Sequence, residues 1–349
     1  MLLKGGQEYI CSCFFKRNIF LKRYKMHVTF ESQDQFQDQY RQLLRMKGCA
    51  TEKQYKDVLE QITSEIERRR ALHKLTADRT QRFKDTYIKL HPDIWILKEP
   101  FLDSRFFSIV ADAQSKSLDN LLFSILDNSG NITEMEVYQF PVFSSDMCKL
   151  LIEEIENFES SPHAKTRPNT MNEYGVSLDE MGLSQGLILP LIQKYLLPIC
   201  ASLFPSWGGG TIDSFKAFSV KYEMGNDLQL ATHYDNAEVT ININLGDKYE
   251  GGNLQFGRIF GDEEEYEGKG EESYTCDHKK GHGILHCGRR MHSALPITQG
   301  MRTNLVIWMR SSTVRNTQCP MCLSHPSLHE VPAEGEGFTI QSPWSCSCT

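Results

Sequence analysis

The 349-residue sequence has no run of about 18 apolar residues, the length a helix needs to cross a bilayer, so no transmembrane helix is expected. A basic excess is also missing: 38 lysines and arginines stand against 45 acidic residues, a formal net charge of −7, which argues against a nucleic-acid binder. The apolar start is interrupted by Gly5, Gly6, Gln7 and Glu8, so no signal-peptide core forms there. The 11 cysteines are odd in number and scattered, which fits reduced thiols better than a disulfide framework. These absences predict an intracellular protein, cytoplasmic or nuclear, with no membrane partner. No internal repeat is evident, and the length suits one catalytic-sized domain with a smaller attached region.

What is present divides the chain into three parts. Residues 1–137 read as a helix-rich, polar region. Within it "TEKQYKDVLEQITSEIERRR" places Tyr55, Val58, Leu59, Ile62 and Ile66 on one helical face, and Thr51 with Gln54 forms a capping box. Arg68, Arg69 and Arg70 close that segment and read as a solvated helix face. Near residue 138 "VYQFPVFSS" predicts a strand and "DMCKLLIEEIENF" an amphipathic helix, opening a catalytic domain over 138–313. From about 213 to 312 short β-rich runs recur, among them "FKAFSVKYE", "EVTININL", "GNLQFGRIF", "GILHC" and "RTNLVIWM", which predict a sandwich or barrel. "GDEEEYEGKGEE" (261–272) is an acidic connection, solvated in the simplest reading, with a rim that attracts a basic substrate as the sharper one. Residues 314–349 read as a loop-like tail.

The chemistry centres on "LATHYDNAEV". In a strand, residues two apart project to one side, so His233 and Asp235 can converge on one cation. Two histidines and a carboxylate on one face of an octahedron are the ligands of non-haem Fe(II) oxygenases. His278, His282, His286 and His292 are the candidates for the third ligand, and only His292 has an arginine ten residues on, Arg302. Pro296 and Gly300 between them look like turn chemistry, so a hairpin would put Arg302 on the strand next to His292. There its planar fork could hold the far carboxylate of a metal-chelating oxo acid, 2-oxoglutarate. A lone H-x-D is common by accident; the ordered set is not.

At these residues the chain resembles the 2-oxoglutarate- and Fe(II)-dependent dioxygenases of the prolyl and lysyl hydroxylase type. The resemblance spans roughly 140–310 and rests on "FPVFSSDMCKLLIEEIE", "VKYEMG", "THYDNAEVTININL", "GGNLQFG" and "MHSALPITQGMRTNLVIW", all in family order. "TRPNTMNEYGV" and "VRNTQCPMC" mark a second, closer resemblance over nearly the whole chain, to one particular group of 2-oxoglutarate- and iron-dependent oxygenases. The resemblance implies an α+β fold built on a double-stranded β-helix, or jelly roll, with supporting helices. It implies that His233, Asp235 and His292 ligate Fe(II), that Arg302 binds the C5 carboxylate of 2-oxoglutarate, and that Tyr222 offers a hydroxyl to the cosubstrate. A buried core tyrosine is the competing reading of Tyr222. Dioxygen, with L-ascorbate as reductant, completes the implied chemistry, and the substrate is an unnamed one, a protein among the candidates. In lysyl-hydroxylase relatives a Gly-Arg pair precedes the distal ligand at slightly longer spacing than in "HCGRRMH"; the intact arginine spacing keeps His292 and leaves His286 to packing or support.

Three features stay open at this point. The polar face Thr240, Asn242, Asn244 of "TININ" meets either solvent or a pocket. The loop residues Arg167, Asn169, Asn172 and Tyr174 form either a substrate wall or an ordinary turn. Cys319 and Cys322, followed by His325, could join Cys346 and Cys348 around a structural zinc ion, but a single C-x-x-C with a terminal C-x-C lacks the paired spacing of zinc sites, and the reading without zinc is preferred. The rivals to an oxygenase are a catalytically silent jelly-roll scaffold and a zinc hydrolase using the same three ligands; the latter has no use for Arg302.

Overall fold

The computed structural model describes residues 8–126, 135–162, 167–262, 273–331 and 339–340, with the backbone alone for 72–82 and 84–85. Most of the acidic connection, together with Cys346 and Cys348, lies outside the described residues. The described chain begins with strand β1 (Glu8–Cys11), a one-turn helix (Cys13–Lys16) and a hairpin of β2 (Ile19–Leu21) and β3 (Met26–Val28). Helices Gln33–Met46 and Glu52–Thr86 follow. The second starts on the expected capping box: the Thr51 hydroxyl accepts from the Gln54 N–H at 3.2 Å, and the Gln54 side chain accepts from the Thr51 N–H at 3.0 Å. Tyr55, Val58 and Ile62 are buried against Ile19, Leu21 and Val28 of the hairpin, with Leu59 and Ile66 packed beside them. The helical face is as expected; the three strands ahead of it were not.

Within the arginine run Arg70 is exposed, as predicted, and Arg69 departs from the solvated face. Arg69 is 2% exposed. It meets Glu65 at 2.8 Å and donates to the carbonyl oxygens of Phe14, Arg17 and Asn18 at 2.6, 2.8 and 2.9 Å. Carbonyls at the end of a helix have no partner within it, and a five-donor guanidinium can satisfy several at once.

Two antiparallel sheets make the β region. The larger runs β4 (Tyr138–Pro141), β11 (His282–Cys287), β7 (Val239–Asn244), β13 (Ile297–Arg310) and β5 (Ser214–Glu223), with β8 (Tyr249–Gly251) joined to β13. The smaller runs β10 (Tyr274–Cys276), β9 (Leu254–Ile259), β12 (Arg290–Ala294) and β6 (Leu230–His233). Phe218, Tyr222 and Val306 of the larger sheet pack with Leu254, Phe256 and Ala294 of the smaller in one cluster, so the sheets lie face to face. The other face of the larger sheet, including Val239, Ile241 and Ile243, is buried under helices Ser104–Gln114, Ser145–Ser160 and the run Ser184–Leu203. Helices, large sheet and small sheet thus form three layers of an α+β fold.

By length and composition the run Ser184–Leu203 could cross a membrane, yet Leu187, Ile188, Leu191, Ile192, Leu196 and Ile199 are fully buried in the main core, as in a core helix of a folded domain. Pro190 has no N–H for the carbonyl of Gly186. That carbonyl accepts from the Leu97 N–H at 2.8 Å instead, and the helix widens by a π turn at Ser184–Ile188.

The tail is not the loop expected from its prolines. A one-turn helix (Ser312–Arg315) leads to β14 (Leu328–Val331) and β15 (Thr339–Ile340), which flank β1 in a three-stranded sheet with Cys11 opposite Leu328. Strands this short carry little local signal, and their partner is some 300 residues away.

Candidate metal and cosubstrate site

His233 ends β6 and His292 lies directly opposite it on β12. The ring centroids are 4.3 Å apart. Each Nδ1–H is spent on the backbone: His233 donates to the carbonyl of Ala231 and His292 to that of Arg290, both at 2.8 Å. The Nε2 atoms are therefore the acceptors, and they face the two carboxylate oxygens of Asp235 at 3.8 and 3.7 Å. A histidine whose other nitrogen is bonded to a backbone carbonyl is oriented as metal-ligating histidines are.

Electrostatics favours a cation here. Burial pushes both imidazoles down to about 4, so both are neutral near pH 7, and burial raises the Asp235 carboxyl. Thr240 donates its hydroxyl to Asp235 Oδ2 at 2.8 Å, which fixes the carboxylate. Three acceptors converging in a buried space are suited to a cation between them.

Asp235 reaches this position by a route other than the one expected. β6 stops at His233, and Asp235 sits in the turn beyond, its N–H bonded to the carbonyl of Gly288 at 2.8 Å. A Cβ on Gly288 would fall 1.9 Å from the carbonyl oxygen of Ala237, so only glycine allows this approach. His286, assigned to packing or support, is buried with its ring 4.7 Å from that of His292 and its Nδ1–H on the Cys287 carbonyl at 2.9 Å.

The hairpin between His292 and Arg302 is not formed. β12 pairs with β6 and β9, whereas β13 pairs with β5, β7 and β8, so the two residues stand on different, facing sheets and the Leu295–Pro296 link crosses between them. Gly300 is not in a turn: it lies inside β13 with φ +76°. Arg302 is fully buried and opposite Tyr222 of β5. Its Nε donates to Asn304 Oδ1 at 3.1 Å, Nη1 to the carbonyl of Gly252, and Nη2 to His278 Nδ1 at 3.0 Å. His278 Nε2–H in turn donates to the His282 carbonyl at 2.9 Å. Burial first, then the Arg302 charge, hold His278 well below its ordinary range, so it accepts as a neutral ring. Sequence reasoning missed His278 as a partner of Arg302; no spacing marks it.

A cavity of about 140 Å³ opens over His233, Asp235 and His292. Tyr222, 4% exposed, lines it, and its hydroxyl accepts from the Asn172 amide at 3.5 Å. Thr240 and Asn242 line it too, so the polar face of β7 looks into the pocket while its apolar face meets the helices. Arg302 itself does not line the cavity; Asn304 links it to Asn242, which does, through a 2.6 Å bond. The loop 167–172 is both wall and turn: Arg167, Asn169 and Asn172 line the cavity while Asn169 Oδ1 accepts from the N–H groups of Met171 and Asn172 at 2.8 and 2.7 Å. Tyr174 lies outside the lining and is exposed.

Residues 83–209 match the OGFOD2-like domain. The chain is 43% identical to the 2-oxoglutarate and iron-dependent oxygenase domain-containing protein 2 of Xenopus tropicalis, over 97% of this chain and 95% of that one. The chain belongs to this family. The family member of Danio rerio is likewise 43% identical, over 98% of this chain and 99% of its own. The Arabidopsis thaliana 2-oxoglutarate and iron-dependent oxygenase domain-containing protein ICU11 is 34% identical over 74% of this chain and 64% of its own. Among solved structures, a prolyl-4-hydroxylase of Pseudomonas putida is 15% identical and matches 54% of this chain and 98% of that one at a TM-score of 0.33. The family's name carries dependence on 2-oxoglutarate and iron, and His233, Asp235 and His292 are where ligand atoms suited to iron meet.

Proposed function

We propose that the chain is a 2-oxoglutarate- and Fe(II)-dependent dioxygenase that hydroxylates a protein side chain, with residues 138–313 as a catalytic jelly roll, 1–137 as its supporting region and 314–349 as a tail. The observation that carries this reading is the convergence of two histidine Nε2 atoms and one carboxylate, with each histidine's other nitrogen already committed to a backbone carbonyl. Bound Fe(II) would supply the redox chemistry that couples decarboxylation of 2-oxoglutarate, giving succinate and CO2, to insertion of an oxygen atom from dioxygen into a substrate C–H bond. L-Ascorbate is the reductant we expect to keep the iron divalent.

The chain's own residues do the rest. His233, His292 and Asp235 would hold the metal and leave it open to cosubstrate and dioxygen. Arg302 is a buried cation whose described hydrogen-bond partners are all neutral, a costly state that a dicarboxylate's free end relieves. Tyr222, the cross-strand partner of Arg302, and Asn242, tied to it through Asn304, line the cavity and would orient that carboxylate. Anaerobic addition of 2-oxoglutarate to the Fe(II)-loaded protein should produce a visible charge-transfer band, absent in His233→Ala. A band that survives in His233→Ala, or none in folded wild type, would contradict the assignment.

A further inference from the structure

The cysteines offer a second metal site. Cys11 ends β1, Cys13 opens the one-turn helix, and Cys319 and Cys322 flank the turn Cys-Pro-Met-Cys. Their four sulfurs all lie within 4.8 Å of one another, with Cys13 and Cys319 Sγ 3.6 Å apart. Zinc–thiolate bonds of about 2.3 Å set the edge of a sulfur tetrahedron at about 3.8 Å. A disulfide would need about 2.05 Å. We propose that Cys11, Cys13, Cys319 and Cys322 bind one structural zinc ion that clamps the two ends of the described chain together at the mouth of the cavity.

The backbone is arranged for this. Cys319 N–H donates to the Ser324 carbonyl at 2.9 Å and Leu323 N–H to the Cys319 carbonyl at 2.8 Å, with Leu323 at φ +59°, a tight knuckle that brings the Cys319 and Cys322 thiols to one place. From the other end of the chain, pairing of Cys11 with Leu328 and the 2.8 Å bond from Ser12 N–H to the Ser327 carbonyl deliver Cys11 and Cys13 to the same spot. Three of the four thiols are buried and Cys322 is half-buried, which shields a thiolate site from solvent. The three-stranded sheet that joins these segments has strands of two to four residues. A unit so small buries little apolar surface, the setting in which a metal or disulfide ordinarily supplies the missing stability. Four thiolates on zinc leave a net negative charge, and the buried Arg69 guanidinium, which donates to the carbonyl of Phe14 next to Cys13 at 2.6 Å, sets a positive charge close by.

The clamp also reaches the oxygenase site. Cys13, one of the four, and Met321, between Cys319 and Cys322, both line the cavity. Tyr234, the residue after the iron ligand His233, donates its hydroxyl toward the Met321 carbonyl and Asn18 Oδ1, each at 3.0 Å, and stacks on Phe260 with centroids 4.0 Å apart. The zinc clamp therefore holds a wall of the substrate opening rather than the iron ligands.

The test is metal analysis of the full chain carrying His233→Ala and His292→Ala, so that zinc cannot occupy the oxygenase site. One zinc per chain is expected, lost on adding Cys13→Ser or Cys319→Ser, and replacement by Co(II) should give thiolate-to-cobalt charge-transfer bands. Should the serine variants fail to fold, a mercurial thiol reagent added to the parent protein should release one zinc as four thiols react. A parent protein without zinc, zinc retained in both serine variants, or an intact mass two hydrogens lower from a disulfide among these cysteines would overturn the proposal.

Discussion

His233 and His292 face each other across antiparallel β6 and β12 with ring centroids 4.3 Å apart, and both turn Nε2 toward Asp235. Converging acceptors repel until a cation joins them. Mn(II) should raise the melting temperature of wild type in a concentration-dependent way, and His292→Ala should abolish the rise. Asp235→Asn should lose the same metal response yet leave the metal-free protein at least as stable as wild type, since one repelling charge is gone. A large drop in metal-free Asp235→Asn would show that the carboxylate is structural.

Arg302 should separate cosubstrate binding from metal binding. Arg302→Lys keeps the charge and loses the fork, and is expected to weaken 2-oxoglutarate binding by about tenfold or more, with Arg302→Ala weaker still. Mn(II) affinity should change little. Arg302→Ala also strands acceptors on Asn304, Gly252 and His278, so a loss of about 2–4 kcal/mol in urea unfolding is expected alongside.

The Gly-Gly pair ahead of β9 has a physical reason. Gly252 sits at φ +71°, and a Cβ there would fall 2.8 Å from Ile297 Cγ2 and 3.5 Å from Arg302 Nη1. Gly252→Ala should cost about 1–3 kcal/mol and weaken 2-oxoglutarate binding through Arg302. Calorimetry that finds binding unchanged would detach Gly252 from the site.

Arg69 and Arg70 are neighbours with opposite expectations. Arg69→Met breaks a buried pair with Glu65 and frees three carbonyls, for an expected loss of about 3–5 kcal/mol by urea unfolding. Arg70→Met, on the exposed face, should stay within about 0.5 kcal/mol.

Metal-free protein should weaken in mild acid. Burial pushes His27 down to about 4 and, with the Arg302 charge, holds His278 well below its ordinary range. An unfolded histidine takes up its proton near about 6.5, so below that pH the unfolded chain binds more protons than the folded one. The stability from keeping these rings neutral is complete above about 6.5 and declines as pH falls toward 4. Urea midpoints should drop between pH 7.5 and 5, and by less in His278→Gln.

Much of this was legible in the sequence where the signal is local. The capping box at Thr51 and Gln54, the apolar stripe after it, and the alternation of Val239–Asn244 needed only neighbours a few residues away, and each formed as read. That alternation even left the right question, since its polar face turned out to meet the cavity. Pairing between distant strands left no such trace. His292 and Arg302 looked like two arms of a hairpin because Pro296 and Gly300 lie between them, yet the chain changes sheets there. Arg69 looked like its neighbours Arg68 and Arg70, and only the carbonyls of Phe14 to Asn18, more than 50 residues earlier, distinguish it. Spacing offers Cys319 only the nearby Cys346 and Cys348, too weak a pattern to favour zinc, while the structure sets it beside Cys13, 306 residues away. His278 carries no spacing rule at all; its partner Arg302 is found only in space.

The most direct test of the oxygenase account is anaerobic calorimetry of 2-oxoglutarate binding to the Mn(II)-loaded full chain, run beside Arg302→Ala and His292→Ala. Tight binding that requires the metal and disappears in both variants is the predicted result. Folded, Mn(II)-loaded wild type that takes up no 2-oxoglutarate would contradict the account.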